Sequence, residues 1–209
     1  ILGMYKGAVA VAVYAVAIQL QGIYMSFSTA ISGVFLPKVT AMVAKENNEK
    51  AISDLFIRMG RIQYAIMAFI LTGFILFGKV FIYFWAGSDY DEAYYIALLF
   101  FIPLTIPLIQ NLGIIILQAR NQMRFRCVLY VVIAFVSLGI SIPLARLYGG
   151  IGCALGTVFA LVVGQIIAMN IYYHRRIHID IVRFWKEIFR MSLVPILLGG
   201  VGYCFLNMI

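Results

Sequence analysis

Residues 93–119 read AYYIALLFFIPLTIPLIQNLGIIILQA and contain no charged side chain. A bilayer core of about 30 Å is crossed by roughly 20 helical residues, so this stretch is long enough for a transmembrane helix. The strands of a membrane barrel would instead alternate apolar and polar residues over about ten positions. Comparable apolar runs recur along the chain, and the predicted spans are 8–36, 62–84, 93–119, 127–147, 151–173 and 191–208. The sequence therefore predicts an all-α polytopic membrane protein with six transmembrane helices.

Basic residues are concentrated in every second gap between these runs, with five in 37–61, three in 120–126 and five in 174–190. Short loops rich in Lys and Arg stay on the cytoplasmic side of a membrane. The first span is therefore predicted to run from outside to inside, and every later gap agrees with that orientation. The acidic residues of the gap after the second span are predicted to lie outside: Asp89, Asp91 and Glu92.

Composition supports the membrane interpretation. Hydrophobic residues make up 64% of the chain and charged residues 11%, against about 45–50% and 25% in soluble proteins. A net charge of +8 would suggest nucleic acid in a soluble protein. Here the cations border apolar spans, so we expect anionic lipid head groups as their partners and no nucleic acid. The three cysteines lie in or beside apolar runs without CxxC spacing, which argues against a disulfide or zinc framework.

The first span carries a polar stripe. Five polar side chains fall within about 80° of one another on a helix: Tyr14, Gln21, Tyr24, Ser28 and Ser32. Such a stripe is costly in hydrocarbon unless it meets water or another polar helix. It predicts either the lining of an aqueous cavity or a set of hydrogen bonds between helices. Under the first interpretation, Tyr14, Gln21, Tyr24 and Ser28 are candidate substrate-binding residues.

The third span contains two prolines, Pro103 and Pro107, followed by the adjacent amides Gln110 and Asn111. Proline interrupts the hydrogen-bond ladder of a helix, and transporters use such interruptions to build hinges and binding sites. The alternative is a kink without ligand contact. Because amides pair well with hydroxyl groups, Gln110 and Asn111 are the best candidates for contacts with a hydroxyl-rich substrate.

The fifth span has a small residue at every fourth position: Gly152, Gly156, Ala160, Gly164 and Ala168. Backbones approach closely along such a face, so we predict a helix-packing seam. Gln165 lies beside the seam and is a candidate for either a bridging amide or a cavity group.

The segment 174–190 has the pattern of an amphipathic helix. Its apolar and aromatic residues recur at helical spacing: Ile177, Ile181, Phe184, Trp185, Ile188 and Phe189. Basic residues occupy much of the remainder, which favours a position at the cytoplasmic interface of the membrane. The alternative is a linker helix that docks on the protein without lipid contact.

Catalytic and metal-binding patterns are missing from the sequence. His174 and His178 are four residues apart, but no HEXXH motif, cysteine pair or carboxylate completes a metal site. The sequence lacks the GxxxxGK[ST] motif of ATP-hydrolysing proteins. It also has no Asp or Glu inside a predicted span, where a site for coupling to protons or sodium would be expected. We expect a protein that is not an enzyme and that binds no cofactor or metal.

Four short motifs occur in an order and spacing that suggest a family: FLP at 35–37, FG at 77–78, LQARNQ at 117–122 and GGIGCA at 149–154. In these motifs the chain resembles the C-terminal half of bacterial polysaccharide flippases, which belong to the multidrug, oligosaccharidyl-lipid and polysaccharide exporter superfamily. The sequence begins at Ile1 rather than Met and ends within an apolar run. We therefore expect it to be a fragment of a two-lobe transporter.

The resemblance implies a division of the chain and a function. Residues 1–173 would form helices of the C-terminal lobe, 174–190 a cytoplasmic segment, and 191–209 an additional, truncated transmembrane helix. The protein would flip undecaprenyl-diphosphate-linked oligosaccharide across the bacterial inner membrane by alternating access. Its expected partners are that lipid-linked oligosaccharide, membrane lipids and other polysaccharide assembly proteins.

Four arginines at cytoplasmic span ends are candidates for admitting the diphosphate: Arg58, Arg61, Arg120 and Arg124. The alternative for them is simple anchoring by the positive-inside rule. Two other functions stay open. A cation-coupled multidrug antiporter would need a mid-membrane acid, and a membrane glycosyl or acyl transferase would need a His or Asp constellation at a span end.

Overall fold

The computed structural model describes the backbone of residues 2–45 and 49–206, which contain helices and short turns but no strand. The helices are α1 (Leu2–Lys45), α2 (Glu49–Trp85), α3 (Asp91–Ile109), α4 (Asn111–Ala119), α5 (Arg124–Leu161), α6 (Met169–Arg176) and α7 (Ile181–Leu206). A 3-10 turn, Ser88–Tyr90, precedes α3, and a π-helical turn, Val162–Ala168, joins α5 to α6. The all-α prediction is confirmed for these residues.

Within residues 2–45 and 49–206, four helical stretches are long and apolar enough to cross a membrane: Gly7–Val43, Glu49–Trp85, Ser88–Ile109 and Arg124–Arg176. This architecture is typical of a helical membrane protein. The last stretch has 53 residues and would be about 80 Å long if it were straight, which is more than twice the thickness of a bilayer core. The predicted span 191–208 falls in the second part of α7, and its last two residues lie outside the described ranges.

Gly149 breaks the 53-residue stretch into two antiparallel arms. Its φ of 61° and ψ of −131° are not helical, and a positive φ is readily adopted only by glycine. Ser141 Oγ donates to the carbonyl of Cys153 at 3.1 Å, and the hydroxyls of Ser137 and Thr157 are 3.3 Å apart. Residues farther before Gly149 in the sequence thus pair with residues farther after it, which is the pattern of two antiparallel helices. The chain forms a hairpin whose first arm is 124–148 and whose second arm is 150–176, as the predicted gap between the fourth and fifth spans requires.

The small residues of the second arm form the interface of this hairpin. A Cβ added to any of three glycines would collide with the first arm: Gly152 with Leu144, Gly156 with Ser141 and Gly164 with Ile133. All three glycines are buried, as is Ala160 between them. The predicted packing seam is therefore confirmed, since only small side chains allow this approach of the two backbones.

The three basic gaps meet at one end of the bundle. Two ion pairs join them, Asp54 with Arg183 and Arg61 with Glu187. Two hydrogen bonds to the backbone join them as well: the N–H of Asp180 donates to Ser53 Oγ, and Arg120 donates to the carbonyl of Ile177. At the other end, Gly150 of the hairpin turn lies near Ile96 and Glu92. Every second gap of the sequence therefore lies on the same side of the bundle.

The gap 37–61 contains more helix than the predicted loop. α1 continues past Pro37 to Lys45, and α2 begins at Glu49, well before the predicted span that starts at residue 62. Residues 46–48 lie outside the described ranges. The physical reason for the extension of α2 is packing, because Ile52 and Phe56 in its first turns are almost fully buried. Tertiary burial stabilises helical turns that the charge pattern alone assigned to a loop.

The segment 174–190 docks on α2. Phe184 has no exposed surface, its ring centroid lies 5.1 Å from that of Phe56, and it fills the space beside Gly60. Ile177 and Ile188 are buried as well. These contacts match the alternative of a linker helix that packs on the protein, while the position of its exposed face at a membrane surface stays a prediction. The part of the segment from Ile181 onwards is the first part of α7, and that helix continues without a break to Leu206.

The predicted third span divides into two helices at Gln110. α3 runs through both prolines without ending, and the backbone leaves helical geometry at Gln110, with φ −98° and ψ 11°. α4 starts at Asn111, and the backbone N–H of Gly113 donates to the carbonyl of Gln110 at 2.8 Å. The break therefore lies at Gln110, after both prolines and not at either of them, and it places the two adjacent amides at the joint itself.

Candidate functional site

A cavity of about 290 Å³ lies among α1, α3, α4, both arms of the hairpin and α6. Its wall combines apolar side chains with polar side chains from separate parts of the sequence. The polar lining residues are Gln21, Thr29, Gln110, Asn111, Arg126, Tyr130, Gln165 and Tyr173. The structure thus brings four of the predicted substrate-binding residues together, namely Gln21, Gln110, Asn111 and Gln165.

Gln21 has a side chain that the surrounding protein does not satisfy. Its Oε1 atom is buried and accepts no hydrogen bond from the described residues, and its Nε2 reaches only Met25 Sδ at 3.9 Å. A buried carbonyl without a donor costs about 1–3 kcal/mol. Because the side chain lines the cavity, a hydrogen-bond donor on a bound molecule would relieve this cost.

Three other members of the polar stripe form hydrogen bonds with neighbouring helices. Tyr24 is fully buried, with its hydroxyl 2.7 Å from Thr105 Oγ1. Ser28 Oγ donates to the carbonyl of Leu108 at 2.7 Å. Ser32 Oγ accepts from Gln63 Nε2 at 2.6 Å. These contacts match the alternative of hydrogen bonding between helices, and a role for Tyr24 and Ser28 in substrate binding stays a prediction.

Tyr14 lies apart from the cavity lining. Its ring packs edge-on against Phe100, with the centroids 6.1 Å apart, and the side chain is half-buried. The periodicity of one helix places Tyr14 on the same face as Gln21 but does not tell which neighbouring helix each residue meets. Its predicted contact with substrate is not tested by this arrangement.

The amides at the α3–α4 joint have different surroundings. Gln110 is 2% exposed, and its Nε2 donates to Asn170 Oδ1 at 2.8 Å. Asn111 is half-buried, with Nδ2 3.5 Å from Ser28 Oγ, a long and weak contact. Asn111 is therefore the more available of the two for a bound molecule, and Gln110 is held in one orientation by a protein partner.

Arg126 is a cavity residue that the sequence analysis missed. It is the only charged side chain among the described residues that line the cavity. Its Nη2 donates to Tyr130 Oη at 2.7 Å, and its guanidinium lies 4.9 Å from the Tyr130 ring centroid. The spacing of four residues on one helix face was the available signal. The positive-inside rule explains this arginine without any contact, so the sequence alone does not single out its four-residue spacing from Tyr130.

The four arginines predicted to admit a diphosphate lie outside the cavity lining. Arg58 is exposed and borders a separate hollow between α2 and α7, together with Arg61. Arg61 pairs with Glu187 at 3.3 Å, and Arg120 donates to the carbonyl of Ile177 at 3.4 Å. Arg124 is exposed. All four lie towards the end of the bundle where the basic gaps meet, and their role in substrate uptake stays a prediction.

Comparison of the chain with protein family models, with curated proteins and with solved structures gave no match. The fold and the site therefore define a bundle of long apolar helices around a cavity whose wall is mainly apolar and carries a few polar side chains.

Proposed function

We propose that this chain is part of a transporter that moves undecaprenyl-diphosphate-linked oligosaccharide across the bacterial inner membrane by alternating access. The observation that carries the proposal is the cavity, in which amides, hydroxyls and one arginine converge between apolar helices. Ligand sites commonly combine an apolar wall with a few converging polar groups. Amides and hydroxyls suit the hydroxyls of sugars, and the polyprenyl tail can stay in lipid.

The same proposal includes six transmembrane helices with the first running from outside to inside. The antiparallel hairpin around Gly149 supports two crossings by the 53-residue stretch rather than one. The second half of α7 supplies the sixth crossing. The meeting of the basic gaps at one end of the bundle supports a cytoplasmic location for that end. Lipid head groups and other polysaccharide assembly proteins are the proposed partners there.

The motifs FLP, FG, LQARNQ and GGIGCA support the flippase assignment through their order and spacing. A cation-coupled antiporter is disfavoured because no Asp or Glu is among the described cavity residues, and such antiporters use acids within the membrane. A transferase is disfavoured because the lining residues that the structure describes include no His or Asp that could act on a bound substrate.

Replacement of Gln110 and Asn111 together by Leu is expected to impair transport while the protein still inserts into the membrane. Both amides line the cavity, and Leu removes their hydrogen-bonding groups at similar size. The measurement is surface polysaccharide in a strain that depends on this protein, with the membrane level of the protein measured alongside. Polysaccharide should fall at least about fivefold, because two lost hydrogen bonds cost about 1–3 kcal/mol in total.

Gln118→Leu is the matched control, since Gln118 is an exposed amide on the same helix as Asn111 and does not line the cavity. This variant should leave polysaccharide at the wild-type level. Unchanged polysaccharide in the double variant, at an equal protein level, would show that the two amides do not contact the transported molecule.

A further inference from the structure

We propose that Asn170 is a positioning residue that connects the cavity amide of Gln110 to Trp185 in the docked segment. The inference rests on the proposed transport function of the cavity. Asn170 lies at the start of α6, and its Oδ1 accepts hydrogen bonds from Gln110 Nε2 at 2.8 Å and from Trp185 Nε1 at 3.0 Å. These three residues are called the Asn170 relay below.

Hydrogen-bond chemistry fixes the orientation of every group in the relay. An indole N–H only donates, so the Asn170 atom that faces Trp185 has to be the carbonyl oxygen. Gln110 approaches the same oxygen and therefore has to present its NH2 group. The carbonyl Oε1 of Gln110 is then the end of the amide that is left to accept a hydrogen bond from a sugar hydroxyl.

The π-helical turn Val162–Ala168 anchors the relay to the cavity wall. Asn170 Nδ2 donates to the carbonyl of Ile166 in this turn at 2.6 Å. Gln165, from the same turn, lines the cavity. Single π-helical turns are rare in proteins, and those that occur often lie at functional sites. Asn170 is thus tied to the cavity wall through its NH2 group and to Trp185 through its oxygen.

Trp185 is held in place by the docking of its segment on α2. The neighbouring Phe184 is fully buried against Phe56, and the ion pair between Arg183 and Asp54, with 2.7 Å between Nη1 and Oδ1, closes the exposed edge. If the segment moved away from α2, Asn170 Oδ1 would lose one of its two donors, and the Asn170 amide would be held only through Ile166 and Gln110. Asn170 would then hold the amide of Gln110 less firmly.

The consequence is a link between the end of the bundle where the basic gaps meet and the cavity. When the segment is docked, Gln110 presents a hydrogen-bond acceptor to the cavity. When it is not, this orientation of the Gln110 amide is held less firmly, because Asn170 has lost its contact with Trp185. The docked segment therefore sets the affinity of the cavity for hydroxyl-rich cargo without touching that cargo.

The physical link is tested by the indole N–H resonances of the nitrogen-15-labelled full chain in detergent micelles. The chain has two tryptophans, so the signal that disappears in Trp85→Phe belongs to Trp85 and the other belongs to Trp185. Trp85 is the last residue of α2, far from the first turns of that helix on which the segment docks. Gln110→Leu should shift the Trp185 signal because Asn170 loses its second donor, whereas Gln118→Leu should not. An unmoved Trp185 signal in Gln110→Leu would overturn the proposal, whether or not the protein transports anything.

The functional link is tested by transport of a short polyprenyl-diphosphate-linked disaccharide into vesicles. Trp185→Phe keeps an aromatic ring but removes the N–H donor. It should raise the apparent KM about three- to tenfold, the size of one neutral hydrogen bond, with the maximal rate close to that of the wild type. A wild-type KM, or a loss confined to the maximal rate, would overturn the positioning role.

The two experiments distinguish this inference from the proposed function. A wild-type protein that moves no probe, together with a Trp185 signal that responds to Gln110→Leu, would contradict transport while supporting the relay. Wild-type transport together with an unresponsive signal would support the flippase proposal and remove the relay. If Trp185→Phe does not fold, the resonance of the Gln110→Leu protein still decides the matter.

Discussion

Gly156→Leu is expected to abolish the folded protein almost completely. A Cβ added at Gly156 would lie 2.6 Å from the backbone nitrogen of Ser141 and 2.7 Å from its Cα. These are backbone atoms, so no side-chain rotation relieves the collision, and the two arms would have to separate. Overpacking by extra methylene groups costs about 1–3 kcal/mol even where side chains can shift, and more where they cannot. The measurement is the yield of monodisperse protein in detergent and its thermal unfolding midpoint.

Gly139→Leu provides the matched control within the same hairpin. Gly139 lies on the first arm, it is exposed, and an added Cβ would meet nothing within 4 Å. This variant should show the wild-type yield and an unfolding midpoint within a few degrees of the wild type, which corresponds to less than about 1 kcal/mol. A Gly156→Leu protein with the wild-type midpoint would contradict the antiparallel hairpin and, with it, the division of the long stretch into two crossings.

Gln21→Met is expected to reduce transport about three- to tenfold, the size of one neutral hydrogen bond, while leaving the protein as stable as the wild type or more stable. The Oε1 atom of Gln21 is buried without a partner, so its removal relieves a cost of about 1–3 kcal/mol instead of breaking a protein contact. Met has a similar length and suits an apolar wall. The same substitution removes the acceptor that a hydroxyl group of the cargo would use. Transport rate and unfolding midpoint are measured on the same preparation.

The control for this variant is Gln19→Met, because Gln19 is an exposed amide two residues away on the same helix. It should change neither quantity. A drop in the unfolding midpoint of Gln21→Met would mean that the Oε1 atom has a partner in the folded protein. Unchanged transport would mean that the cargo does not use it. The opposite direction of the two expected changes distinguishes a binding role from a structural one.

The helices and their pairing within the hairpin could be predicted from sequence because both depend on local patterns. An apolar run of about 20 residues fixes a helix long enough to cross a bilayer. The four-residue spacing of Gly152, Gly156, Ala160 and Gly164 predicts one face on which backbones approach, and the glycines of that face pack on the first arm. The turn at Gly149 follows from the GG pair between two apolar runs.

The composition of the cavity could be predicted only in part. Periodicity placed Tyr24, Ser28 and Gln21 on one face of α1, but only the packing of α2 and α3 decides which of them is satisfied by a neighbour. Gln63 is an example, since its side chain donates to Ser32 at 2.6 Å across two helices. Nothing within α2 identifies Gln63 as that donor. Contacts between distant parts of the chain separate the structural residues from the available ones.

Arg126 and Asn170 could not be assigned for a related reason. The charge pattern that correctly groups the basic gaps at one end also explains each arginine without a specific contact. Asn170 stands alone between apolar residues and a basic segment, and its importance appears only when Gln110 and Trp185 converge on its oxygen. Their separations in sequence, 60 and 15 residues, leave no local signal.

Leaflet transfer by the wild-type protein tests the transport proposal most directly. The protein is reconstituted into vesicles that contain polyprenyl-diphosphate-linked oligosaccharide with a fluorescent label on the sugar, and an impermeant quencher is added outside. Nearly all of the label should be quenched in vesicles with the wild-type protein, and only the outer-leaflet share in vesicles without protein. Vesicles with Gln21→Met should reach the same quenching at a rate about three- to tenfold lower. Quenching that is limited to the outer-leaflet share in wild-type vesicles would contradict the proposal that this cavity carries lipid-linked oligosaccharide across the membrane.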